Sequence, residues 1–294
     1  MRYPNFKSLT IADLSILKER LEKHNPKVCE LAFANLIIWH DFDHAKYTFI
    51  NDNLCILISP VNEPPFYLEP IGKHKLKETV DICLKDTGRL NRISEEFIFR
   101  LNMEDYHIKC DRNQFDYVYE TKALAELKGK KYDGKRNHIK GFQKRHPGYR
   151  VIGLSGDLGN EALALFEEWF KARKQSRHFP KLAYDSQKSA LTNAFKDFAG
   201  LSFIGSALYL DNQLKGFVMG SPLNNKTIDV HFLYAHPSVK GIFQVLLWEA
   251  SKETFKKYDY LNLEQDLGIP GLRKAKLSNQ PIKLEKKFEI SLKT

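Results

Sequence analysis

The sequence predicts two α/β domains, α+β in overall class, each built on a mixed central sheet. Three observations lead there. Short strand-like runs alternate with amphipathic helical stretches along all 294 residues. Apolar residues make up 43% of the chain, with 20 Phe and 13 Tyr, which is enough for packed cores and excludes intrinsic disorder. Pro147-Gly148 ends a strongly basic segment and divides the chain into expected domains of 1–146 and 147–294.

In the first half, Thr10-Ile-Ala-Asp13 has the form of a capping box and opens an amphipathic helix to about Lys23. Strand-like runs follow at 47–50, 54–59 and 66–69, with Asn51-Asp-Asn53 as a hairpin turn. Helices are expected at 75–85 and 94–101, and 106–110 with 115–120 reads as a further strand pair. The stretch 123–127 reads as helical, and Asp133 is placed to cap a second helix running to about Arg145.

The second half begins with a strand at 149–154. A helix after Asn160 carries Leu163, Phe166, Trp169 and Phe170 on one face, and another helix spans 187–198. Strands are expected at 202–210, 216–221 and 227–235, then a helix from Gly241 to about Lys257. A strand at 260–264, a short helix after Pro270 and a last strand at 282–290 complete the chain.

The net charge of +10 favours anionic partners, and it is clustered. Between Thr121 and Arg150, ten Lys/Arg face two acids, Glu126 and Asp133. Lys128, Lys131 and Lys135 are three and four residues apart, and Arg136, Asn137 and Lys140 continue that surface. Such a stripe suits a phosphate backbone or an anionic membrane surface.

Four cysteines, Cys29, Cys55, Cys83 and Cys110, sit among apolar residues. They form no CxxC and no Cys–His pairing at zinc-ligand spacing, so no metal site is expected. They read as buried, reduced thiols of a cytoplasmic protein. No apolar run approaches the ~20 residues that a membrane helix needs.

The most distinctive text is Leu261-Asn-Leu-Glu-Gln-Asp-Leu-Gly-Ile-Pro-Gly-Leu-Arg-Lys-Ala-Lys-Leu277. Asn262, Glu264 and Asp266 alternate and share a face if the strand persists. Gly268, Pro270 and Gly271 form a tight bend into a helix, on which Arg273 and Lys276 share a face, with Lys274 between them. Carboxylates, a helix start and cations converge there, a combination suited to a ligand with both an amine and an anion. On strand 227–235, alternation puts Asp229, His231 and Leu233 on one face and Val230, Phe232 and Tyr234 on the other. Asp229 or His231 is a candidate general base and Tyr234 a candidate acid. The bland reading of His231 is a core histidine held by a neighbour, since nothing near it in sequence sets its pKa.

A three-strand meander, a turn, a long helix and a further strand is the element order of the GNAT acyltransferase fold. In that fold the turn Pro237-Ser-Val-Lys-Gly241, with Lys240 and Gly241, would meet a ligand anion. The bend, together with Lys128-Gly-Lys-Lys-Tyr-Asp-Gly-Lys-Arg-Asn-His-Ile-Lys140, resembles a bacterial family similar to the C-terminal domain of phosphatidylglycerol lysyltransferases (DUF2156). The resemblance covers about Tyr3 to Phe288. It implies two tandem GNAT-like domains and an aminoacyl donor on tRNA. By resemblance, Glu264 and Asp266 would hold the amine of the aminoacyl group. Arg273 and Lys276 would face phosphate or the tRNA 3′ end, and Lys135, Arg136 and Lys140 the acceptor stem. The family's larger members carry a membrane domain ahead of this module that this chain lacks, so the acceptor stays open between a lipid headgroup and a small hydroxyl or amine compound. Acetyl-CoA is the alternative donor, although the loop supplies one glycine where CoA-binding members have more. A non-catalytic tRNA-binding module is the third reading.

Overall fold

The computed structural model describes residues 1–174 and 181–293, and it contains two seven-stranded mixed sheets. In chain order the strands are β1 (Lys7–Ser8), β2 (Lys46–Ile50), β3 (Asn53–Ile58), β4 (Phe66–Tyr67), β5 (Leu90–Ser94), β6 (Tyr106–Cys110) and β7 (Asp116–Glu120). They continue as β8 (Arg150–Gly153), β9 (Ile204–Leu210), β10 (Gln213–Pro222), β11 (Thr227–Ala235), β12 (Tyr260–Asn262), β13 (Lys283–Glu285) and β14 (Lys287–Leu292). The first sheet runs β1-β2-β3-β4-β5-β14-β6, and the second runs β13-β7-β12-β11-β10-β9-β8.

These orders are one order used twice. In each sheet four antiparallel-linked strands lead to a parallel neighbour, β4 beside β5 and β11 beside β12. In each, a strand from elsewhere in the chain is inserted next. The halves have exchanged that strand: β7 leaves the first half for the second sheet, and β14 leaves the end of the chain for the first.

Two sequence expectations change as a result. The runs 106–110 and 115–120 are strands but not a pair, because β6 bonds β14 and β7 bonds β12 and β13. The single last strand expected over 282–290 is broken at Lys286 into β13 and β14, which lie in different sheets. Sheet membership therefore does not divide at Pro147.

The capping box forms as expected, with the Thr10 N–H and hydroxyl both donating to Asp13, at 3.0 and 2.9 Å. The helix that follows spans Leu14–His24. One apolar core joins the halves, since Leu17, Ile38 and Phe66 pack in the same cluster as Phe166, Phe217 and Tyr234. A second core lies under the basic helix Asp133–Arg145, which buries Ile139 and Phe142 against helix Ile242–Lys252 and the second sheet. Three cysteines are buried as expected, while Cys110 is exposed at the end of β6. No helix among the described residues is long and apolar enough to cross a membrane.

Candidate functional site

The parallel pair β11–β12 ends at Asp229 opposite Asn262, and beyond it the two chains separate. At the same level β11 carries a bulge. Met219 of β10 faces Phe232 and Gly220 faces Val230, so His231 is the extra residue. A side chain at Gly220 would put Cβ 2.5 Å from the Asp229 carbonyl oxygen, so glycine lets the bulge close. The bulge resets the alternation. Val230 packs with Leu233 in one core and Phe232 with Tyr234 in the other, rather than the two-sided split expected from sequence.

His231 is thereby aimed across the opening. Its Nδ1 lies 3.0 Å from Glu264 Oε1 and 3.6 Å from Asp229 Oδ2, and its Nε2 lies 2.8 Å from Ser221 Oγ. The edge of Phe203 closes one side, with ring centroids 5.6 Å apart. The partner that positions His231 is 33 residues away in sequence, which local reading could not supply. Glu264 has φ +56 and its side chain is 20% exposed, so it is the member of the group open to solvent. Asp229 is fully buried and neither of its carboxyl oxygens has a hydrogen-bond partner. Burial first, and then the charges of Glu264 and Asp116, push its pKa well above the carboxylate range.

Below this lies a buried polar cluster that spacing did not reveal. Lys287 Nζ sits 2.6 Å from Glu30 Oε2, 2.7 Å from Asp116 Oδ1 and 3.4 Å from Cys29 Sγ. Burial opposes its charge, but Asp116, Cys29 and Glu30 outweigh that and hold its pKa well above the ordinary lysine value. Asp116 also accepts from the Cys29 N–H at 2.8 Å and from Asn262 Nδ2 at 3.0 Å. The Asn262 amide oxygen accepts the Glu264 N–H at 2.8 Å, so Asn262 shapes the bend. Cys29 Sγ donates to Gln265 Oε1 at 3.3 Å, and burial raises its pKa well above the thiol norm. The one sequence signal was charge inside apolar runs, as in Val28-Cys-Glu-Leu31 and Phe115-Asp-Tyr-Val118.

Among the described residues, two triplets could hold a cation. Cys29, Glu30 and Asp116 bring one donor atom each within 4.8 Å of one another, and so do Cys29, Asp229 and Glu264. The first triplet already surrounds the Lys287 ammonium. The second contains the unpartnered Asp229 carboxyl.

The bend divides the residues expected to converge. The strand stops at Asn262, and both Glu264 and Leu267 adopt positive φ, so Glu264 and Asp266 do not share a face. Asp266 is enclosed by its own loop. It accepts from Arg273 Nε at 2.8 Å, Arg273 Nη2 at 2.9 Å, Tyr117 Oη at 2.5 Å, Arg112 Nη1 at 3.2 Å and the Gly268 N–H at 2.8 Å. Burial opposes its ionisation, but these donors overcome it and hold the carboxyl well below its ordinary pKa. Asp266 and Arg273 therefore form the bend's internal clamp, in place of the shared face with Glu264 expected from spacing. Lys276 turns inward, donating to the carbonyls of Leu263 and, at 3.1 Å, Glu264, and burial lowers its pKa. Lys274 remains exposed beside a shallow depression formed with Pro270, Arg273, Leu277 and Ser278.

The basic helix lies against this bend. Lys135 Nζ donates to Ser278 Oγ at 2.8 Å, and burial pulls its pKa down to about 8. Arg136 is spent on structure, bonding Asp133 and the carbonyls of Leu127 and Gly129. Lys128 pairs with Glu126 at 2.9 Å and Lys131 lies over the Tyr132 ring. Asn137 and Lys140 face solvent. The expected anion loop packs on the basic helix at its Gly241 end. Gly241 has φ +88, a Cβ there would come 3.0 Å from the His138 carbonyl oxygen, and Arg145 donates to the Lys240 carbonyl at 2.7 Å. Tyr234 lies among aromatic rings and donates to Gln187 Oε1 at 2.8 Å.

The family model for the phosphatidylglycerol lysyltransferase C-terminal domain matches residues 21–290. The chain belongs to this family. A solved relative, a conserved protein of unknown function from Bacteroides thetaiotaomicron, is 30% identical over 98% of this chain and 99% of its own, with a TM-score of 0.89. The C-terminal domain of a lysylphosphatidylglycerol synthetase from Agrobacterium fabrum is similar in fold at 13% identity, covering 97% of this chain and 92% of that one, with a TM-score of 0.66. A tandem GNAT protein of the clavulanic acid pathway matches 99% of each chain at 8% identity, with a TM-score of 0.51. The fold is thus the tandem GNAT-like arrangement, and family membership supports an acyltransferase-type function.

Proposed function

We propose that the protein transfers an aminoacyl group from tRNA to a hydroxyl or amine acceptor, a lipid headgroup or a small molecule. The observation that carries this reading is the Asp229 carboxyl, fully buried and unpartnered beside Glu264. A buried polar group without a partner costs stability, so such a group in a splayed sheet is suited to a cationic ligand. The amine of the aminoacyl moiety supplies that cation.

Glu264, open to solvent, takes the proton of the acceptor, with His231 orienting it from behind. The acceptor oxygen or nitrogen bonds to the ester carbonyl carbon. The bond from that carbon to the ribose 2′ or 3′ oxygen breaks, and the proton leaves on the ribose oxygen. No enzyme nucleophile is required: Cys29, the thiol nearest the site, has a raised pKa that keeps it protonated. Exposed Lys128, Lys131, Lys140 and Lys274 offer contacts for RNA phosphates around the bend. Acetyl-CoA is the weaker donor, because the helix Asp133–Arg145 packs on the Gly241 loop.

The test is transfer from radiolabelled aminoacyl-tRNAs to lipid, peptide and small-amine acceptors. Asp229→Asn should raise KM for the charged tRNA, and Glu264→Gln should lower kcat. No turnover with any charged tRNA rejects the reading.

A further inference from the structure

Cys29, Asp229 and Glu264 bring a thiol sulfur and two carboxylate oxygens within 4.8 Å of one another. They come from three separate segments. Cys29 lies in the turn ahead of helix Phe33–Ile38, Asp229 in β11 and Glu264 in the bend after β12. No local spacing links them, which is why no metal site was expected from sequence. A tetrahedral zinc ion, with Zn–S of about 2.3 Å and Zn–O of about 2.1 Å, spaces its donor atoms ~3.5 Å apart. The three atoms therefore need to close by ~1.3 Å at most.

The charges favour a cation. Asp229 is fully buried and neither of its carboxyl oxygens has a hydrogen-bond partner. Among the described residues, neither Asp229 nor Glu264 has a lysine or arginine within salt-bridge distance. Glu30 and Asp116, by contrast, share the Lys287 ammonium. Two neighbouring carboxylates without a counter-ion repel each other, and one divalent cation between them turns that repulsion into attraction.

The sulfur decides which cation. A thiol adds little to the binding of an ammonium, magnesium or calcium ion, whereas a thiolate is a preferred ligand of zinc-class ions. The buried Cys29 thiol holds its proton, and an arriving ion displaces that proton to solvent. Lys287 Nζ, 3.4 Å from the sulfur, then offsets the negative charge that remains. His231 Nδ1 bonds Glu264 Oε1 at 3.0 Å, while Ser221 holds the other ring nitrogen at 2.8 Å. A histidine behind a ligating carboxylate fixes its orientation and leaves Oε2 for the ion. Glu264, 20% exposed, is the way in from solvent.

We infer that Cys29, Asp229 and Glu264 bind one zinc-class divalent cation, which keeps the aminoacyl amine away from the same carboxylates. The binding stands apart from the aminoacyl reading, and the exclusion rests on it. Three protein ligands leave a fourth position for water.

Titration of the full chain with Co²⁺ and then Zn²⁺ tests the site, because a thiolate ligand gives Co²⁺ a near-ultraviolet charge-transfer band. The band should saturate at one equivalent and disappear on adding Zn²⁺. Cys29→Ser should lose the band and at least tenfold in Zn²⁺ affinity. Asp229→Asn should keep the band and lose at least tenfold in affinity. Cys110→Ser, which removes the exposed thiol, should match the parent. No band in the parent, an unchanged band in folded Cys29→Ser, or a band lost in Cys110→Ser overturns the inference. If Cys29→Ser does not fold, unchanged Zn²⁺ affinity in Asp229→Asn and Glu264→Gln overturns it instead. Zn²⁺ should also raise KM for charged tRNA and leave kcat as it was, and an unmoved KM removes the exclusion. Metal binding as expected in a protein with no transfer activity upholds the site and rejects the aminoacyl reading.

Discussion

Asp116 and Lys287 are the first residues of the two exchanged strands, and their side chains meet in a fully buried ion pair at 2.7 Å. β7 enters the second sheet at Asp116 and β14 enters the first at Lys287. The pair therefore joins the two crossings, and Glu30 at 2.6 Å and Cys29 at 3.4 Å complete the ammonium's surroundings.

Removing the ammonium leaves Asp116 buried without a cation and Glu30 with only Arg92, at 3.9 Å. Lys287→Met should cost about 3–5 kcal/mol. Adding Glu30→Gln and Asp116→Asn should recover part of the loss. Urea denaturation of the single and triple variants checks this, and a Lys287→Met loss below about 1 kcal/mol would show that the pair is not the junction's anchor.

Asp229 gives a pH signature. Its folded-state pKa is raised by burial and by the charges of Glu264 and Asp116. The native state then holds its proton more tightly than the unfolded chain does. That contribution to stability is complete below the unfolded value near 4 and declines as pH rises toward the folded value. Asp229→Asn does not ionise, so its stability relative to the parent should grow with pH across that window. Melting curves from pH 4 to 8 measure this, and a variant destabilised equally at every pH contradicts it.

The two carboxylates of the bend should separate in their effects. Asp266 is locked by Arg273, Arg112 and Tyr117, so Asp266→Ala should lower stability by about 2–4 kcal/mol. Its lowered pKa contributes stability above the unfolded value, near 4, that is lost as the pH falls below it. Glu264→Gln keeps the size of a partly buried side chain and should change stability by under ~1 kcal/mol while reducing transfer at least tenfold. Paired denaturation and activity assays distinguish them.

Lys135, at about 8, loses its proton more readily than an ordinary lysine. NMR titration of dimethylated lysines should show one resonance moving near that pH. Unfolded lysine binds its proton more tightly, so the site should gain stability as pH rises from about 8 towards 10.5. A Lys135→Met variant should lose that rise.

Most elements were legible in the sequence, because hydrophobic period, capping residues and glycine or proline punctuation are local. The capping box at Thr10, strand 227–235 and the Pro270 helix formed where expected. The basic character of 121–150 and the importance of the Leu261–Leu277 text were also readable. The site was legible only in part. Glu264 and Asp229 were named as candidates and lie close together in the structure, but Asp266 was grouped with Glu264 by an alternation that ends at Asn262.

What the chain alone determined is which segments are strands and helices and which faces are apolar. Only the tertiary structure decided which sheet each strand joins, since alternation in β7 or β14 fits the apolar face of either sheet equally well. Pairing depends on partners more than 100 residues away, as Val118 opposite Asn262 does. That exchange gathers Cys29, Glu30, Asp116 and Lys287 beneath Asp229, and the bulge at His231 turns the ring to Glu264. Both arise from long-range backbone registry, which no local pattern encodes.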